Sequence, residues 1–115
     1  MATAWLDQRE PGTVFAARGV GRPLWLGRGR DEVFFASTRA ALEIASEYTG
    51  VRLRLSEVRD GTFLALREGR VARTARFRPD RSYVEERALP AVRAPGQSAY
   101  CLERLAQIAA AAAAA

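Results

Sequence analysis

Short apolar runs separated by turn signals divide the first third of the chain, and this punctuation restricts what the chain can fold into. Runs of three to five mainly apolar residues lie between Pro- and Gly-containing segments such as Glu10-Pro11-Gly12. Runs this short favour strands over helices, which need about ten residues or more. The short spacer around Gly12 predicts a hairpin between the first two strands. Strands are predicted at residues 4–6, 13–17, 24–26 and 33–36.

The third and fourth of these strands are apolar on both faces. No polar residue interrupts residues 24–26 or residues 33–36. Strands of this kind are typical of sheets that are covered on both sides. We therefore expect other elements to pack on each face of these two strands.

An amphipathic helix is predicted directly after the fourth strand. Ser37 or Thr38 is placed to cap its first turn by accepting a hydrogen bond from a backbone N–H. Gly50 stands where a left-handed C-terminal residue is favoured. The predicted apolar stripe, at helical spacing, consists of Ala41, Ile44, Ala45 and Tyr48.

The strand pattern returns after the helix. Apolar residues alternate with arginines over residues 51–55, which predicts a strand with one buried face. Asp60-Gly61 is a turn signal, and residues 63–66 and 71–77 are predicted to form a hairpin around Glu68-Gly69. These elements predict an α/β or α+β fold, with a twisted, mainly antiparallel sheet and covering helices.

The chain changes character beyond residue 77. Prolines and a glycine at positions 79, 90, 95 and 96 indicate a connector, in which Ser82 and Glu85 have the spacing of a capping box for one short helix. A last helix is predicted from about Ser98 into the alanines at 109–115. The predicted organisation is therefore 1–78, a connector at 79–97, and a helix at 98–115. The apolar face of that helix is predicted to contain Cys101, Leu105 and Ile108, with Leu102 alongside.

The positive charge of the chain is carried entirely by arginine. All 18 basic residues are Arg, and the net charge is +5. Such a balance attracts nucleic acid or an anionic membrane, but it also arises when arginine serves as a general solvated cation. The arginines are spread along the chain and form no block of five or six like charges, which favours solvated cations.

Several chemistries are excluded by composition. The sequence has no Lys, His or Asn, so it has no P-loop lysine, no Schiff-base lysine and no Ser-His or Cys-His pair. One cysteine, Cys101, is too few for a thiolate zinc site or an internal disulfide. We expect no metal and no cofactor, a buried and inert Cys101, no membrane span and a cytoplasmic location.

A few residues invite a functional interpretation that competes with a structural one. Arg18 and Arg22 flank a Gly-rich turn and are able to grip a phosphate or carboxylate, but an ion pair with Asp31 or Glu32 or simple solvation is favoured. Neither Gly19-x-Gly21 nor Gly27-x-Gly29 completes a phosphate-loop pattern. The paired Glu85 and Glu86 are expected to be solvated. Five aromatic residues are able either to stack on nucleic-acid bases or to pack in the core, and packing in the core is favoured. They are Trp5, Phe15, Trp25, Phe34 and Phe35.

The Gly-rich turn belongs to a longer pattern. Residues 17–27 contain Ala-Arg, then Gly, then Pro-Leu, then Gly, and this order resembles the glutaminase domain of class II glutamine amidotransferases. Phe35-Ala36-Ser37 followed by Ala41-Leu42 is similar to a strand end and helix of that family. Gly61-Thr62 with the apolar residues 63–66 resembles its late hairpin. The resemblance covers residues 3–78 and implies the C-terminal half of an αββα N-terminal-nucleophile-hydrolase sandwich.

The resemblance also implies that the catalytic half is missing. The family uses a mature N-terminal Cys as nucleophile and an Asn-Gly element for the oxyanion, whereas this chain begins Met1-Ala2 and has no Asn. The substrate-binding motifs of the family lie upstream of the matched region. No residue is therefore assigned a catalytic, substrate-binding or metal-binding role.

Two functions from different classes follow. The first is a non-catalytic half of a glutaminase-like domain, which completes the fold for a partner chain that carries the N-terminal Cys, or which associates with itself. The second is a small arginine-rich protein that binds nucleic acid without sequence preference. The first predicts that the strands at 24–26 and 33–36 present an uncovered apolar face or an unpaired edge when the chain is alone.

Overall fold

The computed structural model describes residues 1–82 and 96–114, and within these it shows a mixed α+β fold with two antiparallel sheets. The predicted connector helix, Pro90, Pro95, Glu85, Glu86 and Ala115 lie outside the described residues. The elements in chain order are β1 (Ala2–Leu6), β2 (Thr13–Arg18), β3 (Trp25–Arg28), β4 (Val33–Ala36), α1 (Arg39–Thr49), β5 (Arg54–Glu57), β6 (Thr62–Arg67), β7 (Arg70–Arg76) and α2 (Gln97–Ala114).

The strands form two sheets rather than the one sheet that the strand pattern predicted. A four-stranded sheet has the order β1-β2-β6-β7, and a three-stranded sheet has the order β4-β3-β5. Both predicted hairpins are present, since β1 pairs with β2 and β6 pairs with β7. The division arises because β2 pairs with β6 and not with β3, a long-range choice that no local pattern specifies.

The main core lies between the two sheets. It contains Ala16, Leu64 and Leu66 from the four-stranded sheet, with Leu24, Leu26 and Val58 from the segments on the other side. Because strand residues alternate between faces, Leu26 points into this core and its neighbour Trp25 points to the opposite face. The prediction that both strands are covered on both faces is confirmed for β3, with α1 on the second face, but not for β4, whose Phe35 is 39% exposed.

Helix α1 begins and ends as predicted, but its buried face differs. Thr38 Oγ1 accepts a hydrogen bond from the Ala41 N–H at 3.2 Å, and Gly50 has φ +73°. The buried residues are Leu42 and Ala45, whereas two members of the predicted stripe, Ile44 and Tyr48, are more than half exposed. The prediction was wrong there because α1 buries only the narrow strip that faces the three-stranded sheet.

Helix α2 packs against α1, and its contact face is also rotated from the prediction. Leu102 and Leu105 are half-buried and Ala109 is buried, at i, i+3 and i+7. Cys101 and Ile108 are exposed, so the predicted face and the predicted burial of Cys101 were wrong. Ala109 has the small side chain that lets two helices approach closely, so the seam runs along it.

The layers are thus the four-stranded sheet, the three-stranded sheet, α1 and α2. Both described helices pack on the side of the three-stranded sheet. Among the described residues, no helix forms a packing layer on the outer face of the four-stranded sheet. That face and the open side between the sheets are the surfaces that remain for function.

Candidate functional site

The open side of the sandwich lies between β5 and β7, each of which is an edge strand of its sheet. Three adjoining cavities of about 390, 370 and 490 Å³ follow this side and share lining residues, so they form one continuous cleft. We call it the arginine cleft. Its lining arginines are Arg18, Arg28, Arg30, Arg54, Arg59, Arg70, Arg76 and Arg81.

The charge of this cleft is unbalanced. Among the described residues, eight arginines line it, but only two carboxylates do so, Glu57 and Asp60. Charged side chains on edge strands prevent unwanted pairing with another chain, which is a structural reason for arginines on β5 and β7. Protection of strand edges explains arginines that are scattered along β5 and β7, but it does not explain why eight arginines line one cleft.

One end of the cleft is partly compensated by ion pairs, and Arg18 is at its centre. Arg18 Nη1 donates to Glu57 Oε1 at 2.7 Å and to the carbonyl oxygen of Val58. Arg18 Nε lies 3.1 Å from Asp60 Oδ1, as an ion pair without hydrogen-bond geometry. The side chain of Arg18 is only 13% exposed, so its cation is held between β2 and the segment after β5. The expected ion pair exists, but its partners are not Asp31 or Glu32.

Two further arginines complete this ion-paired end. Arg76 donates to the hydroxyl of Thr62 and, through Nη2, to the backbone carbonyl of Asp60 at 2.8 Å. Arg81 Nη1 lies 3.7 Å from Asp60 Oδ2. Asp60 therefore holds three arginines in place, and the end is stabilised within the chain itself.

The opposite end of the cleft has no such compensation. Arg28 and Arg54 lie directly opposite one another on β3 and β5, and Arg30 and Arg70 line the same cavity of about 490 Å³. Within residues 1–82 and 96–114, no carboxylate lines this cavity and no residue forms an ion pair with Arg28, Arg54 or Arg70. Arg30 has a long contact of 3.8 Å with Asp31. We call this the four-arginine end.

Sequence reasoning did not find the four-arginine end. Arg28 and Arg54 are far apart in the chain, and only the register of β3 against β5 brings them together. Arg70 comes from the other sheet and joins them because β7 is an edge strand. The single sequence signal was the alternation of Arg with apolar residues before β5. This alternation indicates which face of the strand carries the arginines, but not which residues lie beside them.

The glycine pairs that hinted at phosphate loops are used within the fold. The N–H of Gly19 donates to the Met1 carbonyl at 2.7 Å, and the N–H of Gly29 donates to the Glu32 carbonyl at 2.8 Å. A Cβ on Gly27 would lie 2.9 Å from a methyl group of Leu53, so close packing accounts for that residue.

The aromatic residues separate into two groups. Trp25 and Phe34 are half-buried in the three-stranded sheet, and Phe35 is exposed at its edge strand. Trp5 and Phe15 belong to a row on the outer face of the four-stranded sheet that also includes Phe63, which the sequence did not single out.

These aromatic side chains, which we call the aromatic face, pack against one another. Trp5 and Phe15 stack at 5.6 Å between ring centroids, Phe15 and Phe63 stack at 5.7 Å, and Arg73 lies 5.7 Å above Phe63. Trp5 and Phe63 are also in contact, at 5.9 Å between ring centroids, so the three rings form one cluster in which Phe15 is only 4% exposed. Trp5 is 40% exposed. The face is therefore apolar and partly open, but Phe15 offers no free surface for a base to stack on.

An apolar groove lies between β4, α1 and α2. Its volume is about 570 Å³, and its lining includes the exposed Cys101 together with Phe34, Ile44 and Leu105. The thiol is thus at an apolar surface rather than in the core. None of the described residues that line this groove is charged.

In the part of the chain that the structure describes, no group of three or more Cys, Asp or Glu side chains is placed to hold a metal ion. Within the same residues, no helix is long and apolar enough to cross a membrane. Comparison of the chain with protein-family models, with curated proteins and with solved structures finds no match.

Proposed function

We propose that the chain is a non-catalytic half of a glutaminase-like domain, which completes an αββα sandwich for a partner chain that carries an N-terminal Cys. The observation that carries the proposal is the layering of the described residues. Two antiparallel sheets pack face to face, helices cover one outer face, and the other outer face has none. A ββα arrangement of this kind is what remains when one helical layer is taken from an αββα sandwich.

The uncovered surfaces support the need for a partner. The aromatic face leaves Trp5 40% exposed, and β5 and β7 have free edges beside an open cleft. Free strand edges pair readily with other strands, and exposed apolar faces on small proteins commonly mark interfaces. The partly open apolar face is that of the four-stranded sheet. Of the two strands for which an uncovered face or an unpaired edge was predicted, β3 is covered, whereas β4 is an edge strand with Phe35 39% exposed.

The test is reconstitution with the product of the neighbouring reading frame. We expect the chain alone to release no ammonia from glutamine, and the co-expressed pair to do so with a dependence on the partner's N-terminal Cys. Cys101→Ala should leave that activity unchanged. Trp5→Gln should weaken co-purification, whereas the matched control Tyr48→Gln, on an exposed position of α1, should not.

Two results would contradict the proposal. One is ammonia release by the isolated chain. The other is a compact monomer at low micromolar concentration that binds no dye for exposed apolar surface and does not associate with the neighbouring polypeptide. Sedimentation and light scattering measure both the mass and the association.

The second candidate function is non-specific binding of nucleic acid, and the arginine cleft favours it. Contacts between arginine and the phosphate backbone carry affinity without sequence information. Phe15 is enclosed by its neighbours, so the aromatic face contributes little stacking. We expect weak binding that falls steeply with salt and does not distinguish sequences; a clear sequence preference that persists at raised salt would count against this mode.

A further inference from the structure

The four-arginine end brings four exposed arginines to one cavity, and among the described residues only Arg30 has an ion-pair contact, at 3.8 Å from Asp31. Arg28 and Arg54 face each other across neighbouring strands, and Arg70 approaches from the other sheet. Like charges directly opposite each other on antiparallel strands are destabilising. The fold keeps this arrangement although no described residue compensates Arg28, Arg54 or Arg70.

The two ends of the cleft therefore differ in the anionic partners of their arginines. At the ion-paired end, Glu57 and Asp60 already occupy the guanidinium of Arg18. At the four-arginine end, the guanidinium groups of Arg28 and Arg54 have no carboxylate in the cavity lining. The simplest difference between the two ends is that the four-arginine end has no anion beside Arg28 and Arg54. The register of β3 and β5 fixes where such an anion would bind.

We propose that the four-arginine end binds a phosphate group with more than one negative charge. Planar guanidinium groups bind phosphate oxygens through pairs of parallel N–H donors. The cavity of about 490 Å³ is within the size range of small-ligand sites and admits a short polyphosphate chain. Val33 and Val71 line the remainder of the cavity. The glutaminase-like function does not require this site. The site lies within the arginine cleft, and it deepens the nucleic-acid-binding candidate by naming the residues that hold a phosphate.

The probe for this site is inorganic tripolyphosphate, with calorimetry at constant ionic strength. We expect the unmodified chain to bind it more tightly than it binds acetate or chloride. Removing one charged hydrogen-bond donor typically weakens binding about tenfold, so Arg28→Gln and Arg54→Gln should each cause roughly that loss, and the double variant a larger one.

The matched control removes the same charge elsewhere. Arg39→Gln with Arg104→Gln takes two exposed arginines from α1 and α2, on the far side of the three-stranded sheet, and should leave binding within about twofold. Circular dichroism establishes that each variant is folded. The thermal midpoint of the double cleft variant without phosphate should not fall, because a like-charge pair has been removed.

Two results would overturn the proposal that the four-arginine end binds phosphate. Equal loss in the cleft variant and the control variant would mean that only net charge matters. Tripolyphosphate binding no tighter than that of acetate would mean that the arginines are simply solvated.

A second arm identifies the source of the phosphate. A single-stranded oligonucleotide that competes with tripolyphosphate and needs the same two arginines would identify a nucleic-acid backbone as the source. Tripolyphosphate binding without oligonucleotide binding would identify a small phosphorylated ligand. The site at Arg28 and Arg54 stands in both cases.

Discussion

Replacing Arg18 tests how the two sheets are joined at the ion-paired end. Its side chain is 13% exposed and connects β2 to the segment after β5 through Glu57, the Val58 carbonyl and Asp60. Arg18→Met keeps most of the aliphatic stem and removes the guanidinium. The substitution therefore isolates the polar contribution from the packing of the stem.

The expected cost follows from the surroundings of each partner. Val58 is 6% exposed, and leaving its carbonyl without a donor costs about 1–2 kcal/mol. The side chains of Glu57 and Asp60 are 46% and 33% exposed, so water replaces much of what they lose and each pair contributes only about 0.5 kcal/mol. We expect a loss of about 2–3 kcal/mol in the free energy of unfolding.

Urea unfolding followed by circular dichroism and tryptophan fluorescence measures this loss. Arg18→Lys should give an intermediate value, because a single ammonium cannot reach all three partners. Arg9→Met is the control, since the Arg9 side chain is 85% exposed and pairs with the nearby Asp7, and this substitution should leave the urea midpoint almost unchanged. If Arg18→Met costs no more than Arg9→Met, the ion-paired end does not hold the sheets together.

Three further outcomes are expected. Gly69→Ala should lower the free energy of unfolding by well over 2 kcal/mol, since φ is +70° and a Cβ would meet the backbone of the β3–β4 turn. In the same urea unfolding assay, Gly12→Ala should cost about 1–2 kcal/mol, because φ is +81° but the space around the Cβ is open. The thiol of Cys101 should react with a thiol reagent in the native state, and a requirement for denaturant would contradict its exposure. Hydrogen bonds from Arg9 lower the pKa of Asp7, so their stabilising effect is present above the ordinary carboxyl pKa and disappears as the pH falls through the lowered value; NMR titration should show that pKa return towards its ordinary value in Arg9→Gln.

Local chemistry was sufficient for most of the secondary structure. The turn at Glu68-Gly69 was predictable because both residues take positive φ, 51° and 70°, which a two-residue hairpin of this type requires. Thr38 and Gly50 marked the limits of α1 for equally local reasons, a side-chain oxygen and a missing Cβ. Fold class followed from these elements, since runs of short strands are followed by single helices, which is typical of α+β folds.

The faces of the helices were less predictable. Cys101 and Leu105 are equally apolar in sequence, and only the position of α1 decides that Leu105 is half-buried while Cys101 is exposed. Ile44 was misplaced for the same reason. Helical periodicity gives the width of an apolar stripe, but the neighbouring element decides which part of it is covered.

The sequence by itself determined six of the seven strands to within two residues, their turns, the limits of α1 and the exclusive use of arginine for positive charge, because each depends on residues within a few positions of one another. The strand predicted at 51–55 is β5, which begins only at Arg54. The tertiary structure alone decided that the strands divide into two sheets and that Arg28, Arg54 and Arg70 converge in one cleft. Strand register joins residues that are distant in the chain, and charge acquires a function only where the fold concentrates it.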